Sequence, residues 1–292
     1  MEKKAQELKV DLKNARFGLE YTGIYYYILV DFWSRKHYAI WVENALAIKK
    51  SWGFQRGKSD QLAAKRIAQY AYRFKDKAQR WQPDRGVIRQ LKALLSMRER
   101  LIKAKDNIAK PLKDYRTFMP ASYQMLQQGC KASLQPIAKA IKAVEKQLQE
   151  LLKADAKLKE QYTIATSVTG IGPVTACPML LCSGEFTKMK TGKEFSCYAG
   201  VVPFAYSSGS SVGSRPRVWH WAHKKLKSYL PMAAMSANQA AGELKAYYER
   251  QLAKGKAKMS LLPAVRNKLV LRVCPCIRSN QLYAPPYSYQ AA

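Results

Sequence analysis

Residues 196–227 read SCYAGVVPFAYSSGSSVGSRPRVWHWAHKKLK, and this stretch organises the interpretation of the whole chain. An apolar run ends at Phe204, serines surround Gly209, and a basic tract begins at Arg215. Because glycine permits backbone angles that other residues avoid, a serine beside it can present its hydroxyl on a tight turn. Arginines a few residues later can neutralise a phosphate held next to that hydroxyl. The pattern suggests attack of a serine on a phosphodiester.

A second interpretation of the same stretch needs no chemistry. A flexible Ser/Gly loop followed by a solvated, basic helix start has the same composition, and spacing alone favours this interpretation.

The charge of the chain indicates its partner. Lysine and arginine number 51 against 20 acidic residues, which gives a net charge of +31 in 292 residues. This excess runs through the whole chain, so we expect the body of the protein to contact nucleic acid. A general basic scaffold, ribosomal or histone-like, is the alternative, but 48% hydrophobic residues and 18 tyrosines argue for packed cores. The length allows two modest domains or one domain with a long helical element.

The cysteines and histidines indicate neither disulfides nor zinc. The six cysteines form no C-x-x-C pair, and the three histidines have no zinc-ligand spacing with them. The sequence contains no signal peptide and no long apolar span. We therefore expect a protein of the reducing cytoplasm, away from membranes, with buried thiols.

The first part of the chain predicts a β-α-β unit. Residues 1–16 are charged and predict the start of a helix; 17–23 predict a strand, 24–34 a helix and 38–42 a second strand. The two strands are expected to be parallel, with the crossover helix packed on the sheet.

A further helix is predicted from Ser59, its N-cap, to about Phe74, with Asp60 in its first turn. It should bury Leu62, Ile67 and Tyr70 and display Lys65, Arg66 and Arg73. Glu20 on its strand and Asp60 at this helix start are carboxylates that can converge on Mg²⁺, although each taken alone is typical of a surface acid.

The middle of the chain predicts a long helical arm. Apolar residues from Leu134 to Leu151 recur with heptad spacing, which is typical of a coiled-coil seam. Residues 112–130, preceded by Pro111 and containing Pro120 and Gly129, predict the bend between two helices. The arm is expected to be an antiparallel hairpin or a dimer-forming element.

Residues 164–176 contain Gly170-Ile171-Gly172, which is similar to the turn of a helix-hairpin-helix. Backbone N–H groups of such a turn bind a DNA phosphate at a helix N-terminus, and an ordinary helix-to-helix turn is an equal alternative. Residues 226–251 and 259–277 predict two further helices joined at Gly255, and the tail from Tyr283 predicts disorder.

Several of these motifs resemble one family in the same order. Residues 18–25, 56–60, the Gly170 turn and 198–203 leading into 208–212 are similar to the DEDD transposases of the insertion-sequence 110 family, bridge-RNA-guided serine recombinases related to Piv-type DNA invertases. The resemblance implies an α/β plus α architecture: a partial RuvC-like (RNase H-fold) domain at 1–83, a coiled-coil arm at 84–160, and a mostly helical C-terminal transposase domain at 161–282. Residues 283–292 are then a flexible tail.

The resemblance also implies site residues and partners. Ser208 is expected to be the nucleophile that forms a phosphoserine link to DNA, and Glu20 and Asp60 are expected to be two of four acids that bind Mg²⁺. Double-stranded target and donor DNA, a structured guide (bridge) RNA and a homo-oligomer, dimer or tetramer, are the implied partners. The predicted nucleic-acid contacts are Arg56, Lys58, Lys65, Arg66, Gly170, Gly172, Arg215, Arg217, Lys224 and Lys225.

The chain departs from the family pattern in two acids. The position three residues after Asp60, on the same helix face, is Ala63. The family's first acid lies well upstream of the Glu20 strand, so the domain is interpreted as shortened, with an exposed sheet edge. The chain is expected to bind nucleic acid with weak or no strand exchange, and the alternative is a non-catalytic binding remnant. The rings of Trp219, His220 and Trp221 could stack on bases or pack within the protein, and packing is the favoured alternative.

Overall fold

The computed structural model describes residues 7, 9, 11–53, 57, 59–189, 191–208 and 212–285; the side chains of 206–208 and 212–215 lie outside this description. The chain divides into two compact units, residues 1–85 and 86–292. Among the described residues, no helix is long and apolar enough to cross a membrane.

The first unit is built on a parallel pair of strands. Strand β1 is Arg16–Glu20, helix α1 is Tyr27–Arg35 and strand β2 is Ala39–Glu43. The register pairs Arg16 with Ala39 and Glu20 with Glu43. The predicted parallel β-α-β unit is therefore confirmed. The helix predicted to run through residue 16 is wrong where the structure describes it, since 12–14 form a turn and β1 begins at Arg16.

The two faces of this pair have different partners, because side chains alternate along a strand. Phe17, Leu19, Ile40 and Val42 pack with Val30 and Trp33 of α1. On the other face, Trp41 packs with Tyr70 of helix α3, Asp60–Arg73. Helix α2, Ala45–Lys50, joins this second layer through the buried side chain of Ile48.

Helix α3 runs antiparallel to β1. A Cβ at Gly18 would lie 3.0 Å from Cβ of Ala71, so the helix and the strand touch there. The guanidinium of Arg16, at the start of β1, donates to the carbonyl of Lys75, just beyond the end of α3, at 2.9 Å. The carboxyl end of β1 therefore faces the start of α3. Ser59 caps that start by accepting from the N–H of Leu62, as predicted.

The edge of β1 opposite β2 borders a groove. Within the described residues β1 pairs only with β2, and beside it lies a groove of about 690 Å³ lined by β1 and α3. The exposed sheet edge that the sequence analysis expects stays a prediction, because residues 1–6, 8 and 10 lie outside the description.

The second unit begins with a helical hairpin. Helix α4, Gly86–Phe118, and helix α5, Pro120–Ala154, pack along each other and are joined at Met119. The bend between the two helices lies inside the predicted region 112–130, but it is far shorter than predicted. Pro120 occupies the first turn of α5, where a missing N–H costs nothing, and α4 continues past Pro111. Of the heptad residues, Val144 and Leu148 are buried against Ile88 and Leu91.

The rest of this unit packs around one core. Its elements are α6 (Ala156–Ser167), α7 (Pro173–Ser183), α8 (Gly192–Tyr198), β3 (Pro203–Ser208), β4 (Val212–Val218), α9 (Lys224–Gln239), α10 (Glu243–Ala253) and α11 (Lys258–Ser279). Fully buried Phe195, Leu226, Leu230 and Leu269 lie at the centre of this core.

Two sequence predictions for this unit are wrong, and a third holds only in part. Of the basic tract, Arg215 and Arg217 lie on strand β4, because residues 203–208 pair with it, whereas Lys224, Lys225 and Lys227 begin α9, as the alternative of a basic helix start predicts. The helix predicted over 226–251 is two helices, interrupted at Gly242, whose φ of +147° favours glycine. Tyr283 is ordered, because its N–H donates to Oγ of Ser167 and its hydroxyl accepts from Arg272; residues 286–292 lie outside the description.

Gly170 gives a test of this packing. Its φ is +97°, and a Cβ there would lie 2.5 Å from Cβ of Ala237 and 2.7 Å from the carbonyl oxygen of Ala233 on α9. We expect Gly170→Ala to lower the free energy of unfolding by about 3 kcal/mol, because it combines backbone strain with overpacking. Urea denaturation measures this change. Gly172→Ala is the matched control, since a Cβ at Gly172 meets open space, and an equal loss in both variants would contradict the packing account.

Candidate nucleic-acid interface and catalytic residues

Ser208 is the last residue of an antiparallel ribbon. It pairs with Val212, while Phe204 pairs with Arg217 and Pro203 with Val218. Between Phe204 and Tyr206 the register shifts, so β4 carries one extra residue near Pro216. Proline donates no N–H and is tolerated at such a bulge. The backbone of the predicted nucleophile is thus held in a strand, while its side chain lies outside the description.

The basic residues that follow Ser208 have different environments. Arg217 on β4 and Lys224 at the first position of α9 are exposed. Lys225 is also exposed, but its Nζ lies 2.6 Å from a carboxylate oxygen of Glu99, which accepts from the hydroxyl of Tyr229 as well. A phosphate must compete with Glu99 for Lys225. Lys224 stands at the start of α9, where an anion is favoured, and the guanidinium of Arg217 on β4 can bind a phosphate directly. The side chain of Arg215 lies outside the description.

His223 fixes the start of α9. Its Nδ1 accepts from the N–H of Leu226 at 3.1 Å, its own N–H donates to the carbonyl of Tyr198, and the two rings stack. Burial lowers the pKa of His223 below its ordinary value of 6.5, and Lys225 lowers this pKa further, so the ring is neutral at pH 7. Cys182 lies 3.9 Å from the ring, but burial raises the pKa of its thiol to about 11. A thiol with this pKa is protonated, so the pair is not an activated nucleophile.

The two glycines of the Gly170-Ile171-Gly172 turn lie between α6 and α7, an arrangement that fits both the predicted helix-hairpin-helix turn and the alternative of an ordinary helix-to-helix turn. Gly170 is packed against α9, so its role in the structure is steric. Gly172 is the N-cap of α7 and has open space around it. Of the two predicted phosphate contacts, only Gly172 lies where a phosphate could approach its backbone closely.

Glu20 and Asp60 lie in the first unit. Glu20 is half-buried at the carboxyl end of β1, and exposed Asp60 begins α3, which starts at that same end. Asp60, Ala63 and Ile67 share a helix face by their spacing, and Ile67 touches the strand at Gly18. Ala63 is exposed and presents a methyl group at the position where the resemblance implies another carboxylate.

Register brings one further carboxylate beside Glu20. Glu43 is its direct partner on β2 and accepts from the hydroxyl of Tyr70 at 3.5 Å. Sequence reasoning missed Glu43, because the predicted strands, 17–23 and 38–42, do not end at Glu20 and Glu43; the observed strands both end in glutamate, and their register makes the two residues neighbours. Even so, in the described ranges no three His, Cys, Asp or Glu side chains are grouped to hold a metal. The two predicted ligands, Glu20 and Asp60, fit Mg²⁺ only if phosphate oxygens supply other ligands, as is common for this ion.

The remaining predicted nucleic-acid contacts lie on or just before α3. Lys65 is exposed on α3 and Arg66 is half-buried. Arg56 and Lys58 lie outside the described residues.

The rings after β4 do not pack as predicted. Trp219 is 55% exposed and Trp221 is 43% exposed, and His220 between them is also exposed. The reason lies in the tight turn that carries them, which directs Ala222 into the core in their place.

Comparison with known proteins connects both units to one family. The transposase family model for DEDD transposases of IS110 type matches residues 1–114, and the model for the IS116/IS110/IS902 transposase family matches residues 162–249. The chain belongs to the insertion-sequence 110 family of transposases.

Individual relatives agree with this family. The chain is 25% identical over 268 residues to the pilin gene-inverting protein of Moraxella bovis, covering 90% of this chain and 80% of that protein. It is 26% identical over 191 residues to an uncharacterised 43.6 kDa protein of insertion element IS110 from Streptomyces coelicolor, covering 64% of this chain and 45% of that protein.

The His223 cap of this transposase predicts a pH dependence. Because the native state binds the proton of His223 less readily than the unfolded chain, its stabilisation is present above pH 6.5 and is lost as the pH falls below that value. We expect the wild type to lose about 1 kcal/mol of unfolding free energy through this group between about pH 7 and about pH 5. Urea denaturation at both pH values measures the loss.

Asparagine also caps helices but does not titrate, so His223→Asn should remove that part of the pH dependence. His220→Asn changes an exposed ring on the same turn and serves as the control. If His223→Asn keeps the same pH dependence as the wild type and the His220→Asn control, the cap is not the titrating group.

Proposed function

We propose that this chain is a DNA recombinase of the transposase type, in which Ser208 attacks a DNA phosphodiester. The observation that carries the proposal is the family match on both units. Two exposed basic residues that come after Ser208 in the sequence, Arg217 on β4 and Lys224 at the start of α9, also support it. The relatives named as pilin gene-inverting proteins support rearrangement of DNA as the outcome.

The proposed step replaces one phosphate ester bond with another. The Oγ of Ser208 gives up its proton and forms a bond to phosphorus, while the bond from phosphorus to one deoxyribose oxygen breaks. That oxygen leaves with the bonding pair and takes up a proton. The resulting phosphoserine ester can be attacked by the hydroxyl of another DNA end, which restores the serine and joins the new strands. Neither step needs a nucleotide cofactor.

The cations near the ribbon have a defined part in this step. Arg217, Lys224 and, once released from Glu99, Lys225 would hold the phosphates that flank the attacked one. Fixed positive charge beside the phosphate also stabilises the charge that develops on its oxygens during attack.

Glu20 and Asp60 form the acidic part of the proposal. They would hold Mg²⁺, which supplies Lewis-acid activation of a phosphate oxygen when it is bound. Their location, at one end of a parallel β-α-β unit, agrees with a RuvC-like domain over 1–83, followed by an arm over 84–160 and the serine-bearing domain over 161–282. Guide RNA, target and donor DNA and a homo-oligomer are the proposed partners.

Ala63 favours a second candidate function. With a methyl group where a carboxylate is expected, Mg²⁺ has one ligand fewer. Strand exchange would then be weakened, while the binding of nucleic acid would be retained. The chain would then act mainly as a nucleic-acid-binding remnant of a transposase.

Ser208→Ala tests the nucleophile. We expect the variant to bind DNA and RNA like the wild type but to form no covalent protein–DNA adduct, because the attacking oxygen is gone. The measurement is a denaturing gel with labelled DNA and guide RNA from the same insertion element and Mg²⁺. Ser207→Ala is the matched control and should keep the adduct. An adduct that survives Ser208→Ala would place the nucleophile elsewhere, at Ser207, Ser210 or Ser211.

Ala63→Asp tests the acidic site. We expect the added carboxylate to raise recombination at least about tenfold, a barrier change of about 1.4 kcal/mol, because it restores an oxygen ligand on the face of Asp60. Product formation in Mg²⁺ is the measurement. Gln61→Asp adds the same charge on the opposite face of α3 and should leave the rate unchanged. Robust recombination by the wild type, with no gain in Ala63→Asp, would show that Ala63 does not limit the reaction.

A further inference from the structure

The outer side of helix α1 is apolar and faces solvent. Ile24 and Tyr25, in the turn that leads into α1, are 76% and 82% exposed, and Ile28 in its first turn is 85% exposed. Leu29 and Phe32 are 40% and 47% exposed. Single exposed apolar side chains are ordinary on a protein surface, but these five fall close together in the sequence and form one patch. They are called the outer stripe below.

Helical geometry makes this patch continuous. Residues three and four apart lie on the same side of a helix, so Ile24, Ile28 and Phe32 follow one another along α1, with Tyr25 and Leu29 beside them. The inner side of α1 packs on β1 and β2 through its own apolar residues. A helix that is apolar all round is ordinarily buried on every side. The composition of α1 therefore predicts a second cover, over the outer stripe.

The charges around the outer stripe are of both signs. Between residues 20 and 35 the sequence holds one charged residue, Asp31, whose carboxylate pairs with Arg35 at 2.7 Å. The Nζ of Lys36 lies 5.6 Å from the centre of the Phe32 ring. The carboxylate of Asp84 accepts from a tyrosine hydroxyl of α1. The strongly positive character of the whole chain is thus not repeated on this side of α1.

Nucleic acid and lipid fit the outer stripe poorly. Sites that stack bases on aromatic rings also offer cations to the phosphates, whereas here Arg35 pairs with Asp31 and Lys36 lies over Phe32. A helix that lies on a membrane surface is rich in Lys and Arg on its polar side, whereas the other side of α1 packs on the sheet. An aromatic and aliphatic centre that is poor in charge is typical of protein–protein contacts.

A second copy of α1 would complement the outer stripe. In a two-fold contact each copy presents the same surface. With Ile28 at the axis and the two helices antiparallel, Ile24 of each copy meets Phe32 of the other. Tyr25 of each copy then meets Asp31 of the other, whose carboxylate can accept from the tyrosine hydroxyl. The stripe therefore pairs with itself and leaves no charge buried without a partner.

The size and charge of the stripe also suit such a contact. A standard interface buries about 800 Å² on each partner, and an aromatic side chain contributes about 150–250 Å². Two aromatic and three aliphatic side chains supply much of that area. Two chains that each carry a net charge of +31 repel one another. They can approach closely only where the local charge is small and balanced, as it is on this stripe.

We propose that the outer stripe is the contact between two copies of this chain, formed by two antiparallel α1 helices with Ile28 at the two-fold axis. The inference rests on the homo-oligomer of the proposed function, and it adds the surface, the direction and the register of the contact. Because Glu20 and Asp60 belong to the same unit as α1, the contact would bring two copies of the acidic site into one assembly.

Cysteine cross-linking of the full chain tests the register. A residue on a two-fold axis lies beside its own copy, so we expect oxidised Ile28→Cys to give a covalent dimer at least about tenfold above the parent, whose native cysteines set the background. Tyr72→Cys replaces a side chain that is 77% exposed on α3 of the same unit, and should stay at the background. A mixture of Ile24→Cys and Phe32→Cys chains should cross-link more than either chain alone.

Sedimentation without nucleic acid, over a range of protein concentrations, tests the strength of the contact. Ile28→Glu places a carboxylate at the centre of an apolar contact, so we expect self-association to weaken at least about tenfold and the mass of the assembly to fall by half. Tyr72→Glu adds the same charge outside the stripe and should keep the mass of the parent. Ile28→Leu keeps an apolar side chain and should also keep that mass.

The inference is overturned if Ile28→Cys stays at the background of the parent, or if Ile28→Glu has the same mass as the parent. Ile28-dependent binding of lipid vesicles or DNA by a chain that stays monomeric would also overturn it. A monomeric parent that Ile28→Glu destabilises in thermal unfolding would place the stripe inside a single chain, which again contradicts the contact. The proposed function is measured separately, by the Ser208-dependent covalent adduct of the parent, so the two failures are distinct results.

Discussion

At Gly200 the main chain passes so close to Ala222 that a side chain on residue 200 would collide with it. This contact fixes where the ribbon ends and where α9 begins, since Ala222 is followed at once by the capping residue His223. The predicted nucleophile, the exposed cations and the outward-facing tryptophans are all placed relative to that point. The chemistry proposed for the second unit therefore depends on a steric contact made by residues that take no part in it.

The acidic site of the first unit depends on strand register and helix direction. Because β1 and β2 are parallel and in register, their last residues, Glu20 and Glu43, lie side by side. Because α3 runs antiparallel to β1, Asp60 starts at that same end. Ala63 then leaves a methyl group among these carboxylates, which is the physical basis for expecting nucleic-acid binding to exceed catalysis.

A net charge of +31 does not make every cation available to DNA. Lys225 pairs with Glu99, Arg98 pairs with Glu145 at 2.7 Å within the second unit, and the guanidinium of Arg73 lies over the ring of Trp52. Some of the positive charge thus holds helices together, and only part of it faces solvent as an electrostatic field. The composition indicates that the partner is negatively charged, and the ion pairs decide which lysines and arginines can bind it.

The amino-acid sequence by itself determined the parallel β-α-β unit, the Ser59 cap, the two arm helices and the family, because hydrophobic periodicity, capping residues and ordered motifs are local signals. The positions of Glu20 and Asp60 on their strand and helix followed from the same signals. The ribbon of β3 and β4, the neighbour relation of Glu20 and Glu43, and the exposure of Trp219 and Trp221 came only from the tertiary structure. Strands β3 and β4 are close in the sequence, but the serines, glycines and arginines of this stretch are typical of a loop, so composition did not indicate their pairing. The other two features depend on contacts between residues that are distant in the sequence, Glu20 with Glu43 and Gly200 with Ala222, so no local pattern could reveal them.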